Sequence, residues 1–243
     1  MRSRAPYTAA AVATIVAAGC AHTGENGNAD SYEAVLPSGQ FGLSVPPMAV
    51  DGTVVLFDGS SWDGWKTRDG GPSPWSVQDD GSVLARDEDA ISAGELGDFQ
   101  LHLEFLCPTM LDTAGQARAN SGVYLHGRYE VQVLDSYGQE SAMNGCGAIY
   151  SIASPAVNAS LPPGQWQSYD IVFRAPRYDD VGTLVELPRV TVVHNGTLIH
   201  DDLELPRVTP GGLDDVMRTT GPILLQFHGD PVRYRNIRVH PLH

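Results

Sequence analysis

Residues 128–135 read Arg-Tyr-Glu-Val-Gln-Val-Leu-Asp, and the interpretation of the whole chain starts from this stretch. Val131 and Val133 alternate with Glu130 and Gln132, which is the period of a β-strand with one apolar and one polar face. A strand that faces only solvent usually carries Lys, Thr and Ser, whereas this polar face carries a carboxylate and an amide. The pattern therefore predicts a strand whose polar face meets a ligand.

Three further segments show the same alternation. Their polar faces carry Gln100, His102 and Glu104 in residues 99–105, Tyr124 and His126 in residues 122–126, and Gln226 and His228 in residues 223–228. Amides, carboxylates and imidazoles are groups that hydrogen-bond sugar hydroxyls or transfer protons. We expect the four polar faces to converge on a groove the size of a saccharide. The alternative is that they are ordinary solvated faces.

The remaining segments predict a protein built almost entirely from strands. Short apolar runs are joined by turns rich in Gly, Pro and Asn, and no window of helical length has a sustained 3.6-residue period. The pair Asn195-Gly196 predicts a two-residue type I′ hairpin. The fold class expected is all-β, a β-sandwich or jelly roll of two packed antiparallel sheets. Because no fixed-period repeat is present, a propeller is disfavoured.

Charge and length restrict the possible partners. The chain has 243 residues with a formal net charge of −14, and Lys66 is its single lysine. Such a surface repels a polyanion, so no nucleic-acid partner is expected. The length favours one large domain over two small ones.

The N-terminal segment has the features of a targeting sequence. Arg2 and Arg4 precede an apolar run at residues 9–18 that is too short to span a bilayer as a mature helix. The run ends Ala-Ala-Gly-Cys, which resembles a bacterial lipoprotein signal with Cys20 as the lipidated residue. An ordinary secretory signal is the alternative.

The chain is accordingly divided into a signal peptide at residues 1–19, a flexible tether at 20–50 and a folded domain at 51–243. We expect the mature protein outside the cytoplasm, in the periplasm or on the outer membrane, held to the membrane by its N-terminal lipid. In such an oxidising compartment Cys107 and Cys146 could form a disulfide, and the sequence leaves this open.

Several short motifs follow one another along residues 53–242. They are residues 56–59 (Leu-Phe-Asp-Gly) with Trp65, residues 99–105, 120–124 (Asn-Ser-Gly-Val-Tyr), 128–136, 147–150 (Gly-Ala-Ile-Tyr), 221–229 and 232–237. In this order and spacing the chain resembles the bacterial 3-keto-disaccharide hydrolase domain family, formerly a domain of unknown function. The sequence departs from that pattern at Phe227, where relatives often carry a polar residue such as Asp. It also departs in a longer, more polar segment at residues 177–189.

The resemblance implies a concanavalin A-like jelly roll with one concave face. It also implies cleavage of glycosides already oxidised at C3, with a carbohydrate as the substrate. A C3 ketone acidifies the C2 hydrogen, a base removes it, the enolate expels the C1 substituent, and water then adds to the enone. The candidates for proton transfer are His228, Glu130 and Glu104. The residues expected to bind substrate are Gln132, Gln226, Asn120, Tyr124, Arg235 and His102. A divalent metal ion held by Glu104, Glu130 and His228 is an open alternative, so the cofactor is unknown.

Two other functions remain possible from the sequence. A lectin-like carbohydrate-binding module would use aromatic platforms such as Trp62, Trp65 or Trp166, although core packing is the favoured role for these rings. A conventional glycosidase would use Glu104 and Glu130 as paired carboxylates at a suitable separation. Asp135, on the apolar parity of its strand, is expected to have a structural role.

Overall fold

The computed structural model describes residues 51–242, and within this range the chain forms fifteen strands and a single 3-10 turn at Gly115–Ala117. The strands are β1 Val54–Phe57, β2 Trp65–Lys66, β3 Ser76–Val77, β4 Val83–Leu84, β5 Ala90–Ser92, β6 Phe99–Leu106, β7 Ser121–Leu125, β8 Tyr129–Val133, β9 Trp166–Arg174, β10 Arg177–Tyr178, β11 Leu184–Glu186, β12 Arg189–His194, β13 Thr197–Glu204, β14 Leu224–Leu225 and β15 Arg233–Pro241. No helix in the described part of the chain is long and apolar enough to cross a membrane.

The strands form two main antiparallel sheets. The large sheet has the order β13-β12-β9-β6-β15-β4-β3, with β1 also paired to β15. The small sheet has the order β2-β5-β14-β7-β8. Strands β10 and β11, from the long segment at residues 177–189, form a separate hairpin. The predicted all-β concanavalin A-like sandwich is confirmed.

The core lies between the inner faces of the two sheets, where the predicted apolar parity places its side chains. Phe99, Leu101, Leu103 and Phe105 of β6, and Val131 and Val133 of β8, are fully or almost fully buried. Between the sheets, the ring of Tyr129 lies 5.5 Å from that of Phe173. Burial of this apolar area stabilises the sandwich at roughly 25 cal/mol per Å². The outer faces of both sheets therefore carry the polar residues.

Three tryptophans close one end of this core. The ring of Trp62 stacks on Trp65 at 4.3 Å and on Trp75 at 5.6 Å, and all three are buried. Core packing is thus their role, as favoured for Trp62 and Trp65. Core packing was also favoured for Trp166, but this ring is only half-buried at the start of β9, where the guanidinium of Arg235 stacks 4.1 Å from it.

The predicted type I′ hairpin between β12 and β13 is confirmed, because Asn195 and Gly196 have φ values of 51° and 76°. The strand predicted at residues 223–228 is shorter, and only Leu224–Leu225 is regular. The chain nevertheless continues alongside β7, since the backbone N–H of Gln226 donates to the Gly122 carbonyl at 2.9 Å.

Cys107 and Cys146 are both buried free thiols, so the structure contains no disulfide between them. The predicted signal peptide, the tether and the lipidated Cys20 lie outside the described residues. Those three assignments remain predictions.

Candidate active site

The outer face of the small sheet forms the floor of a cavity of about 350 Å³, which is the size of a small ligand pocket. The cavity is lined by Gln116, Asn120, Tyr124, Glu130, Gln132, Tyr150, Pro210, Gly211, Gln226 and His228. Six of these ten were predicted as site residues: Asn120, Tyr124, Glu130, Gln132, Gln226 and His228. Strands β7 and β8 and the chain that follows β14 bring these six together.

Strand β8 is at the edge of the small sheet, yet its polar residues are almost completely buried. Glu130 is 4% exposed and Gln132 is 1% exposed. The free edge is covered because Gln132 donates its backbone N–H to the Ala148 carbonyl at 2.9 Å and Tyr150 donates to the Glu130 carbonyl at 3.1 Å. On the same strand, the Thr209 hydroxyl accepts the Glu130 N–H at 2.9 Å. These two loop segments turn a surface strand into the floor of a pocket.

Glu130 is a buried carboxyl group with an altered acidity. Its pKa is raised to about 8: burial is the main cause, the hydrogen bond with Tyr124 offsets part of the rise, and the nearby negative charge of Asp89 adds to it. A carboxyl group that titrates near neutral pH can accept or return a proton during catalysis.

The hydroxyl of Tyr124 explains how a protonated Glu130 is accommodated. Its oxygen lies 2.9 Å from Oε2 of Glu130 and 3.0 Å from the Pro210 carbonyl, and it accepts Nε2 of Gln226 at 3.2 Å. A hydroxyl has only one hydrogen, so it cannot donate to both oxygens at once. When Glu130 is protonated, Glu130 donates to Tyr124 and Tyr124 donates to Pro210, so every group is satisfied.

The carboxyl group of Glu130 occupies the space above Gly122. Gly122 lies on β7 two residues before Tyr124, so both residues face the cavity side of the sheet. A Cβ atom at residue 122 would lie 2.6 Å from Oε1 of Glu130 and 2.9 Å from the ring of Tyr124. Gly122 is therefore required by space rather than by an unusual φ angle. The lack of a side chain there permits the Glu130–Tyr124 pair to form.

Amide side chains form a second hydrogen-bonded network at the same floor. Nε2 of Gln132 donates to Oε1 of Gln116 at 3.1 Å, and Nδ2 of Asn120 donates to the Gln116 carbonyl at 2.9 Å. The side-chain oxygens of Gln132 and Gln226 are buried and have no partner among residues 51–242. A buried acceptor without a donor is costly, and sugar hydroxyls would supply the missing donors.

Asn120 is held at the cavity by an unusual backbone arrangement. Ala119 before it is buried and has φ of 51°, a conformation that costs a non-glycine residue roughly 1–3 kcal/mol. The backbone N–H of Asn120 donates to Oδ2 of Asp230 at 2.7 Å. Asp230 therefore fixes the entry to β7, and such local strain is typical of functional sites.

His228 lies at the mouth of the cavity and is exposed. No residue from 51 to 242 hydrogen-bonds to its imidazole. The preceding Phe227 packs against the core, and its backbone N–H donates to Oδ1 of Asp89 at 2.8 Å. The departure at Phe227 thus leaves His228 in the cavity wall but without a carboxylate from its neighbour in the chain.

Three predicted site residues, Glu104, His102 and Arg235, lie elsewhere, on the large sheet. Glu104 and His102 are on β6 of the large sheet, on the parity opposite to the core residues, so they face away from the small sheet. Glu104 pairs with Arg235 at 2.6 Å, and His102 pairs with Asp170 at 2.7 Å. The expectation that all four polar faces converge is therefore wrong for the face of β6. This strand pairs with β9 and β15 in the large sheet rather than with β7.

The distance between Glu104 and Glu130 also argues against two of the alternatives, the glycosidase with paired carboxylates and the metal site. Packed sheets are about 10 Å apart, and Glu104 and Glu130 project from opposite outer faces. They are therefore too far apart to act as paired carboxylates, which need roughly 5 to 9.5 Å. The proposed metal ligands Glu104, Glu130 and His228 do not form one cluster. Within residues 51–242, no group of three His, Cys, Asp or Glu residues is arranged to hold a metal ion.

Charged residues that the sequence analysis did not identify hold the loops around the cavity. Arg68 donates to the carbonyls of Gly211 at 2.5 Å and Gly212 at 2.9 Å and pairs with Asp89 at 2.6 Å. The buried guanidinium of Arg128 binds both carboxylate oxygens of Asp214, at 2.8 and 2.6 Å. These contacts join residues far apart in the chain, so no local pattern indicated them. Asp135, by contrast, pairs with Arg118, and its predicted structural role is confirmed.

Comparison with protein families agrees with this arrangement. Residues 52–240 match the model of the 3-keto-alpha-glucoside-1,2-lyase-like domain. The chain belongs to this family. The match contains both sheets and every residue of the cavity, and it places the chain among carbohydrate-active proteins of hydrolase or lyase type.

Solved structures support the assignment. A candidate glycosyl hydrolase from Parabacteroides distasonis ATCC 8503 is 33% identical, with a TM-score of 0.73, over 84% of this chain and 94% of that one. Two more candidate glycosyl hydrolases from the same organism share the fold at 21% and 22% identity, with TM-scores of 0.58 and 0.56. They cover 79% and 78% of this chain and 94% and 99% of their own. A search of curated proteins finds no match.

Proposed function

We propose that this protein cleaves 3-keto-glycosides by eliminating the C1 substituent across the C1–C2 bond, at the cell envelope, with hydration of the product as a later step. The observation that carries the proposal is the buried Glu130 carboxyl, with its pKa raised to about 8, at the floor of a cavity lined with amides. A C–H bond next to a ketone needs a base of this kind, and unoxidised sugars offer no such acidic hydrogen.

In the proposed reaction the Glu130 carboxylate removes the proton from C2. The C–H electron pair forms the enolate with the C3 ketone oxygen. The amide nitrogens of Gln132 and Gln226 each use one hydrogen within the protein, so each has a second to donate to that oxygen or to a hydroxyl. Collapse of the enolate forms the C1=C2 double bond and breaks the C1–O bond.

The departing oxygen takes a proton from His228. This assignment rests on position: His228 is at the mouth of the cavity, where the C1 substituent must leave, whereas Glu130 is at the floor. The Tyr124 hydroxyl lies 2.9 Å from Oε2 of Glu130, so it can donate to the carboxylate before the transfer and accept from the carboxyl once Glu130 holds the C2 proton. The products are the alcohol and a 2-hydroxy-3-keto-glycal, and no oxidant or reductant is consumed.

The test is to incubate the purified domain with a 3-keto-glucoside and with the matching unoxidised glucoside. Release of the alcohol from the keto form alone, with an enone that absorbs in the ultraviolet, is the expected result. Deuterium at C2 should slow the release if proton removal limits the rate. Cleavage of the unoxidised glucoside would contradict the proposal and favour an ordinary glycosidase. Binding of both sugars without turnover would favour a lectin-like module.

A further inference from the structure

A second cavity of about 490 Å³ opens beside the first. It is lined by Met110, Thr113, Gln116, Ala117, His228, Gly229 and Asp230. Gln116 and His228 line both cavities, so the two form one groove with the His228 imidazole at the junction. A ligand larger than one sugar ring would therefore extend past His228 into the second cavity.

The two cavities differ in chemistry. The first is lined mostly by amides, a carboxyl and two phenols, whereas the second contains the thioether of Met110 and the methyl group of Ala117 beside Thr113 and Asp230. Asp230 uses one carboxylate oxygen, Oδ2, to accept the backbone N–H of Asn120. Next to Met110, Leu111 is 88% exposed. The second cavity thus offers more apolar and less polar surface than the first.

We infer that the second cavity receives the group that leaves from C1, and that it favours an alcohol bearing an apolar ring. This inference rests on the proposed function. It follows from the order of groups along the groove: Glu130 lies under the ketosugar, His228 stands at the departing oxygen, and the second cavity begins on the far side of His228. An apolar ring there would cover Met110 and Ala117, and these contacts would contribute to binding.

The experiment compares two 3-keto-glucosides that carry cyclohexyl and methyl groups at C1. Both leaving groups are simple alkanols, so the two substrates differ chiefly in the apolar area that they present. Ala117→Phe fills the second cavity from an exposed position. We expect kcat/KM for the cyclohexyl substrate to fall at least about 10-fold, because the loss of apolar contacts in a pocket has an effect of this size. The kcat/KM for the methyl substrate should stay within about 2-fold of the wild-type value. Ala114→Phe is the matched control, since Ala114 is also exposed but lines neither cavity.

Equal losses on both substrates would overturn the inference, because they would mean that the 3-10 turn only positions Gln116 and Asn120. An unchanged rate on the cyclohexyl substrate would also overturn it. If wild-type protein turns over neither substrate, the proposed function fails instead, so the two failures are distinguishable.

Discussion

Replacing Glu130 with Gln is the most informative perturbation of this protein, because it changes stability and activity in opposite directions. The pKa of Glu130 is about 8 in the folded state, against an ordinary value of 4.5. Below pH 4.5 both folded and unfolded chains hold the proton, and the group has no effect on stability. Between pH 4.5 and 8 the unfolded chain releases the proton while the folded chain keeps it, so the free energy of unfolding falls as the pH rises.

The size of the effect follows from the pKa difference. Each pH unit in that interval lowers the free energy of unfolding by up to about 1.4 kcal/mol, which gives a ceiling of about 5 kcal/mol above pH 8. Water that enters the cavity eases ionisation and reduces this loss. Glu130→Gln has no proton to lose, and its amide can donate to Tyr124 as the protonated carboxyl does. We expect the variant to be more stable than wild type by roughly 2 to 5 kcal/mol at pH 8.5 and to match it near pH 4.5.

The assay is urea unfolding of both proteins at pH 4.5, 6, 7 and 8.5, with kcat/KM on a 3-keto-glucoside measured in parallel. Glu140→Gln, which removes an exposed carboxyl, is the control. A stability difference that stays constant from pH 4.5 to 8.5 would refute the reasoning, because it would mean that burial does not shift the Glu130 pKa. Activity should fall at least about 100-fold in Glu130→Gln. Wild-type kcat/KM should rise with pH through about 8 if Glu130 is the base.

Three further substitutions test the geometry of the site. Gly122→Ala places a methyl group 2.6 Å from Oε1 of Glu130, so kcat/KM should fall at least about 10-fold with a loss of stability of about 1–3 kcal/mol. Gly64→Ala, which meets no atom within 4 Å, is its control in the same kinetic and urea-unfolding assays. His228→Ala should abolish turnover yet leave the Tm within about 2 °C of wild type, because the imidazole is exposed and has no partner within residues 51–242. A large drop in Tm would show that His228 is structural. Glu104→Gln should keep kcat/KM within about 2-fold of wild type, since Glu104 lies on the other sheet, and should lower stability by about 1 kcal/mol in urea unfolding. Loss of activity with an unchanged Tm would contradict this placement and show that Glu104 takes part in substrate binding or catalysis.

The loops around the cavity could not be predicted from local patterns. Thr209 and Pro210 follow β13, and Tyr150 follows β8 at a distance, yet all three contact the Glu130–Tyr124 pair or its strand. Their sequences carry turn residues without periodicity. Only the long-range hydrogen bonds that cover the edge of β8 bring them to the site, and the same bonds bury Glu130 and so raise its pKa.

The sequence by itself determined the face on which each side chain of a strand lies, because the two-residue period is a local property of the backbone. For that reason Tyr124, Glu130 and Gln132 were correctly separated from the core residues Val131 and Val133. The tertiary structure alone decided which strands became neighbours. Glu104 has the same alternation as Glu130, but it is in a different sheet, because strand pairing depends on contacts between residues at least 60 positions apart along the chain.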